Sequence, residues 1–247
     1  MADEKDVSMR IEVLVSAGCP HAGAALTLVR EVAAHLAPGA SVDRVDVDTP
    51  EKAAALGFLG SPSVRVNGED IERRSSSRGS LCCRTYAGEG VPPDWMIEAA
   101  ILRVLQPEGI LFLCVANSAR SQMAEGIARS LTPAHVLIWS AGSRPTRVRA
   151  EAVAVLGESG IDISGYRSKA ISEIPPDGID TVITLCDEEE CPFFAGEARR
   201  LHWGLPDPGA LQGSEEERLS AFRRTRDELR LRIEALFAAG GHAGEPL

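Results

Sequence analysis

No apolar stretch in this 247-residue chain approaches the ~20 residues needed to cross a bilayer, so no membrane-spanning role is expected. The opening residues, MADEKDVSMR, lack the basic-then-apolar layout of an export signal, and the two absences together give a cytoplasmic expectation. Basic residues are the minority, 26 against 36 acidic. The resulting formal charge of -10 disfavours nucleic acid and acidic membrane surfaces as partners, although a local positive site can still hold an anion. Internal repeats and extended low-complexity tracts are also missing. With 44% hydrophobic and 25% charged residues, the chain has the balance of a globular protein with a real core. Cysteine, by contrast, is present six times. In a cytoplasmic chain that number points to catalysis, redox chemistry or metal binding rather than to structural disulfides.

Two α/β patterns follow one another, joined around residues 106–109, which divides the chain into domains 1–106 and 107–247. The first pattern has a strand at Arg10–Ser16, a helix to about Leu36 and a strand at Ser41–Val47. A short helix over Pro50–Leu59 and a strand at Val64–Val66 complete it. Asn67-Gly68 is a hairpin turn signal, and residues 69–92 read as an irregular polar loop. Asp94 caps a helix to Leu105. The second pattern places strands at 110–113, 135–140, 181–185 and 199–203, and helices at 121–131, 149–159 and 214–237. This alternation implies parallel sheets covered by helices on both faces.

The sharpest chemical signal is Cys114-Val-Ala-Asn-Ser-Ala-Arg120-Ser121, between a strand and a helix. Backbone N–H groups wrapped around a helix start point at a tetrahedral oxyanion, and the helix dipole favours its charge. Arg120 offers a bidentate grip on two oxygens, with Asn117 and Ser118 in the same oxyanion-binding loop. The same positive field favours the thiolate of Cys114, the nucleophilic form of a thiol. Ser121 is placed to hydrogen-bond that sulfur, and Asn117 to brace the loop. The bland alternative is a buried cysteine at a strand end with an unrelated arginine.

The stretch LFLCVANSARSQMAEG resembles the active-site loop of the low-molecular-weight protein tyrosine phosphatases, and more closely that of the arsenate reductases sharing their fold. The resemblance continues through Trp139-Ser-Ala-Gly142, Gly160-Ile-Asp-Ile163, Asp180–Cys186, Cys191-Pro192, His202-Trp203 and Asp207-Pro208. It implies a central parallel sheet flanked by helices and an enzyme reducing arsenate to arsenite by a cysteine relay. Cys114 would be the nucleophile, Cys186 the first resolving cysteine, Cys191 the last, and Asp207 the general acid. Each relay step is thiolate attack on an adjacent sulfur. No tightly bound cofactor is implied. The partners are arsenate and a thiol reductant, either thioredoxin or a low-molecular-weight thiol. Only Asp187-Glu-Glu-Glu190 separates Cys186 from Cys191, so a small thiol acting at Cys186 or Cys114 is an alternative last step. A zinc half-site with His202 is a weaker reading of that pair.

The family also admits a potassium ion near the loop. Asn117, Glu125 and Ser140 stand in matching motifs, while Ser164–Ser172 offers no clear fourth position. Other readings of the whole domain are a protein tyrosine phosphatase using Cys114, Arg120 and Asp207, or a non-enzymatic thiol redox or arsenic sensor.

In the first domain, the β-α-β order, Cys19 at the start of the first helix and Ser61-Pro62 before a later strand resemble the thioredoxin-like fold. Cys19-Pro20-His21-Ala22 has alanine where that family's second cysteine would stand. Cys19 therefore acts alone or pairs with Cys82 or Cys83 from the polar loop. As a redox domain it would be an internal electron donor; as a degenerate one, a docking or dimerisation module.

Overall fold

A computed structural model describes residues 9–75, 79–187 and 193–237, and the chain divides into two units, Met1–Leu105 and Gln106–Leu247. The first unit runs β1 (Arg10–Val15), α1 (Ala22–Leu36), β2 (Ser41–Asp46), α2 (Pro50–Ala55), β3 (Ser63–Val66), β4 (Glu69–Asp70) and α3 (Asp94–Leu105). Its sheet order is β2-β1-β3-β4, with β1 parallel to β2 but antiparallel to β3. The sheet is thus mixed rather than parallel. Asn67 and Gly68, with φ of 49 and 85, make the two-residue turn that folds β4 back onto β3, and a turn that short permits only antiparallel pairing. Helix α2 starts on a sound signal: the Thr49 hydroxyl accepts from Lys52 N at 3.2 Å, and Pro50 stands in the first turn. It ends at Ala55, sooner than expected, before Gly57 at a φ of 55.

Past β4 the described residues of 71–92 form no helix or named strand, as their composition suggests, but the segment is anchored by buried side chains. One is Arg84, 7% exposed, whose guanidinium donates to both carboxylate oxygens of Asp70 at 2.6 and 2.7 Å. It also donates to Glu72 at 2.8 Å and to the Ser63 hydroxyl at 2.8 Å. Buried charges persist only when paired and hydrogen-bonded, and here one arginine satisfies two strands. The Tyr86 ring lies 4.6 Å beneath Arg84, and its hydroxyl donates to Pro62 O at 3.0 Å. Burial pushes that hydroxyl above its ordinary pKa, with Arg84 opposing the shift.

The second unit runs β5 (Gly109–Cys114), α4 (Arg120–Leu131), β6 (Leu137–Gly142), α5 (Ala150–Gly157), β7 (Thr181–Thr184), β8 (Arg199–His202) and α6 (Glu215–Phe237). Its sheet, β6-β5-β7-β8, is parallel throughout. All six residues of β5 are buried, as a central parallel strand covered on both faces requires. Leu111, Leu113, Ala141, Val182 and Phe194 form one side of the core. Helix α4 packs on β5, β6, α5 and α6, yet Ser121, Gln122 and Glu125 are among its buried residues. A polar face turned inward on a core helix needs partners. Asn117 of the preceding loop meets Ser121 and Gln122, while Glu125 pairs with Ser140, Lys169 and Arg129.

Candidate active site

Cys114 is the last residue of β5, 2% exposed, and its sulfur sits 3.0 Å from the Ser121 hydroxyl. Asn117 N donates to that sulfur at 3.2 Å, so the loop curls over it. Helix α4 then begins at Arg120. Ala119, at its N-cap, supplies no side-chain cap, and the first N–H groups of a helix left uncapped favour an anion.

The loop holds this shape through Asn117, fully buried at a φ of 45. Its amide nitrogen donates to Ser121 Oγ at 2.8 Å and Ser140 Oγ at 2.9 Å, while its Oδ1 accepts from Lys169 N and Gln122 Nε2, both at 2.8 Å. Its backbone oxygen accepts from the Ser168 hydroxyl at 2.6 Å. On the outer side Arg144 N, Thr146 N and Arg149 N donate to Val115 O, Ala116 O and Ser118 O. A Cβ on Gly142 would stand 2.5 Å from Val115 O and 2.8 Å from Asn117 N, so only glycine lets β6 end this close to the loop.

Arg120 is 4% exposed, and its Nη1 donates to Leu205 O at 2.9 Å and Leu185 O at 3.3 Å. Its Nη2 is 4.0 Å from the Asp207 carboxylate. Asp207 is 39% exposed on its side chain and accepts from Gly209 N at 3.1 Å. Leu185 N donates to Leu113 O at 2.8 Å, which carries the β5–β7 pairing past the end of β7. Cys186, the next residue, is fully buried and a free thiol, as is Cys114.

The sequence therefore singled out residues that the fold brings to one sheet edge: Cys114, Asn117, Ser118, Arg120, Ser121, Cys186 and Asp207. Cys191 lies outside the described residues. Cys19, Cys82 and Cys83 are in the first unit and are free thiols. Cys19 lies in the turn before α1 rather than in its first turn, because the helix begins only at Ala22, with His21 at its N-cap. Cys82 O accepts from Ser61 N at 2.8 Å and Arg84 N donates to Ser61 O at 3.0 Å, so the Cys82-Cys83 pair is tied beside Ser61. The Ser61–Pro62 peptide is cis. Among the described residues, no group of three or more His, Cys, Asp and Glu side chains is placed to hold a metal ion.

Gln122, Ser168 and Lys169 were not singled out. Gln122 had a readable signal, a polar residue on the face of α4 that carries Ser121 and Glu125. Lys169 had none, standing 52 residues from Asn117. It also bears on potassium. The Glu125 carboxylate, 4% exposed, accepts from Lys169 Nζ at 2.9 Å, Ser140 Oγ at 2.5 Å and Arg129 Nη2 at 2.9 Å. Asn117 Oδ1 already accepts twice. This donor set, with an ammonium in its midst, does not fit a further cation.

Residues 109–241 match the low molecular weight phosphotyrosine protein phosphatase family, and the chain belongs to that family. Among its relatives, an arsenate reductase of Bacillus subtilis (strain 168) is 39% identical over 133 residues, which are 53% of this chain and 96% of the relative. An arsenate reductase of Bacillus licheniformis is 40% identical over the same lengths. A solved arsenate reductase in the phosphate binding state is 36% identical and covers 53% of this chain and 97% of its own, at a TM-score of 0.46.

Proposed function

We propose that this chain is an arsenate reductase that converts arsenate to arsenite by a thiol relay starting at Cys114. The carrying observation is Cys186, a buried free thiol two residues beyond β7, on the sheet edge where β5 ends in Cys114. Phosphoester hydrolysis at Cys114 has no use for a second thiol there. The relatives named arsenate reductases support the same reading.

In this reading the loop N–H groups, Ser118 and Arg120 hold the oxyanion, and Cys114 Sγ attacks arsenic. A hydroxyl leaves, protonated by Asp207. The Cys186 thiolate then attacks Cys114 Sγ. The electron pair of the S–As bond passes to arsenic, which departs as arsenite, leaving a Cys114–Cys186 disulfide. Cys191, or a low-molecular-weight thiol, opens that disulfide, and an external dithiol such as thioredoxin completes the cycle.

For the first unit we propose a thioredoxin-like domain. Support comes from the β2-β1-β3-β4 order, Cys19 in the turn before α1, and Ser61-Pro62 just ahead of β3. Its role would be to pass electrons to the second unit, with tethering giving a local concentration of about millimolar. Cys19→Ser is then expected to slow arsenate turnover when no thioredoxin is added; an unchanged rate makes the unit a docking module.

The deciding experiment follows arsenate-dependent NADPH oxidation in the presence of thioredoxin and its reductase, beside hydrolysis of an aryl phosphate. Oxidation with arsenite as product supports the reductase. Aryl phosphate hydrolysis without arsenate turnover would establish the phosphatase that the family description also suits. A protein that forms disulfides but turns over neither substrate is a sensor.

A further inference from the structure

Behind the oxyanion loop lies a continuous polar chain. From Lys169 Nζ it passes to Glu125 Oε2 at 2.9 Å, and from Glu125 to the Ser140 hydroxyl at 2.5 Å. Ser140 accepts from Asn117 Nδ2 at 2.9 Å, which also donates to Ser121 Oγ, and Ser121 touches the Cys114 sulfur at 3.0 Å. Lys169 closes the chain at its other end, since its backbone N–H donates to Asn117 Oδ1. One residue thus grips Asn117 from the main chain and Glu125 from the side chain.

The charges explain why a cation is needed there. Glu125 sits on α4 with only 4% of its side chain exposed, and a buried carboxylate must be paired. Arg129 meets its other oxygen, but the Arg129 side chain is 48% exposed and reaches in from solvent. The Lys169 side chain is 11% exposed, so it supplies the interior charge. We propose that the Lys169 ammonium is the built-in cation of this loop, standing where a monovalent metal ion would have to bind. The Asn117–Ser140–Glu125 network, and with it oxyanion binding, is thereby independent of potassium. A potassium ion among the same oxygens would sit against the ammonium, and like charges a few ångströms apart in a poorly solvated site repel strongly. Lys169 touches neither substrate nor sulfur; it is a positioning residue.

The test uses the reduced full-length protein with inorganic phosphate as the probe, so it stands whether or not the chain reduces arsenate. Phosphate affinity and the thermal unfolding midpoint are measured in potassium, sodium and tetramethylammonium chloride at one ionic strength. For the wild type both should be the same in all three salts. Lys169→Met keeps the stem and loses the charge. In tetramethylammonium it should bind phosphate about tenfold more weakly and melt about 5 °C lower. Potassium should restore part of both losses by entering the vacated position, and Lys169→Arg should stay close to wild type. Potassium stimulation of the wild type over tetramethylammonium would overturn the proposal without the use of any variant. So would a Lys169→Met protein indistinguishable from wild type in tetramethylammonium.

Discussion

Replacing Cys186 by serine is expected to stop catalytic arsenate reduction while leaving oxyanion binding in place. Serine differs from cysteine by one atom, so the fully buried site keeps its packing. The Leu185 N to Leu113 O bond that sets the two strand ends side by side involves no atom of residue 186. In the proposed relay, what is lost is the nucleophile that takes Cys114 Sγ from arsenic. An external thiol must then do that work from solution. A positioned neighbour acts at an effective concentration of at least about 10⁵ M, so with millimolar thiol the turnover should fall by far more than about 1000-fold. Phosphate affinity should change less than twofold, since none of the groups assigned to the oxyanion is altered. The rate is read from arsenite release with thioredoxin supplied, and the affinity by calorimetry. A Cys186→Ser enzyme that releases arsenite at the wild-type rate removes Cys186 from the relay and leaves attack by an outside thiol at Cys114.

Much of this site was legible because its signals are local. An all-apolar β5 ending in cysteine, followed by five loop residues and a helix, fixes Cys114, Asn117, Arg120 and Ser121 within eight positions. Cys186 stands just past the end of another largely buried strand, and parallel order in an α/β sheet puts such ends on one edge. Composition misled where charged residues pair across sequence. The stretch from Glu69 to Pro92 reads as solvent-facing because it is rich in Arg, Ser and Glu. Yet Arg84 and Asp70, 14 residues apart, neutralise each other and sink together into the first unit. Lys169 escaped for the same reason at longer range. Its two partners, Asn117 and Glu125, lie 52 and 44 residues away, and a lysine with no nearby pattern looks like any surface lysine. The parallel-sheet expectation failed only in the first unit, where the Asn67-Gly68 turn, itself legible, is too short for a crossover.

Arg120→Lys should also be strongly damaging, for a geometric rather than a chemical reason. The guanidinium is not simply a positive charge under the loop. Its Nη1 is held by Leu205 O at 2.9 Å and Leu185 O at 3.3 Å, carbonyls that follow β8 and β7, and these fix the plane of the fork. Its Nη2 stands 4.0 Å from Asp207, the proposed acid. The fork therefore sets three things at once: the two strand-end loops, the acid and the face offered to the oxyanion. A lysine ammonium carries the same charge on three tetrahedral donors, and cannot present a parallel pair to two oxygens while also satisfying two carbonyls. Losing one preorganised oxyanion donor costs about 100- to 1000-fold in rate. With Asp207 also released, kcat/KM for arsenate should fall about 1000-fold, equivalent to about 4 kcal/mol of transition-state stabilisation. Phosphate affinity should weaken in parallel, because in the proposed site the fork grips the ground-state anion too. Steady-state kinetics beside calorimetry on the same preparation measures both, with thermal unfolding to establish that the variant is folded. A folded lysine variant within tenfold of wild type in kcat/KM would mean that charge alone is needed at position 120, and that the orientation imposed by Leu185 and Leu205 is not.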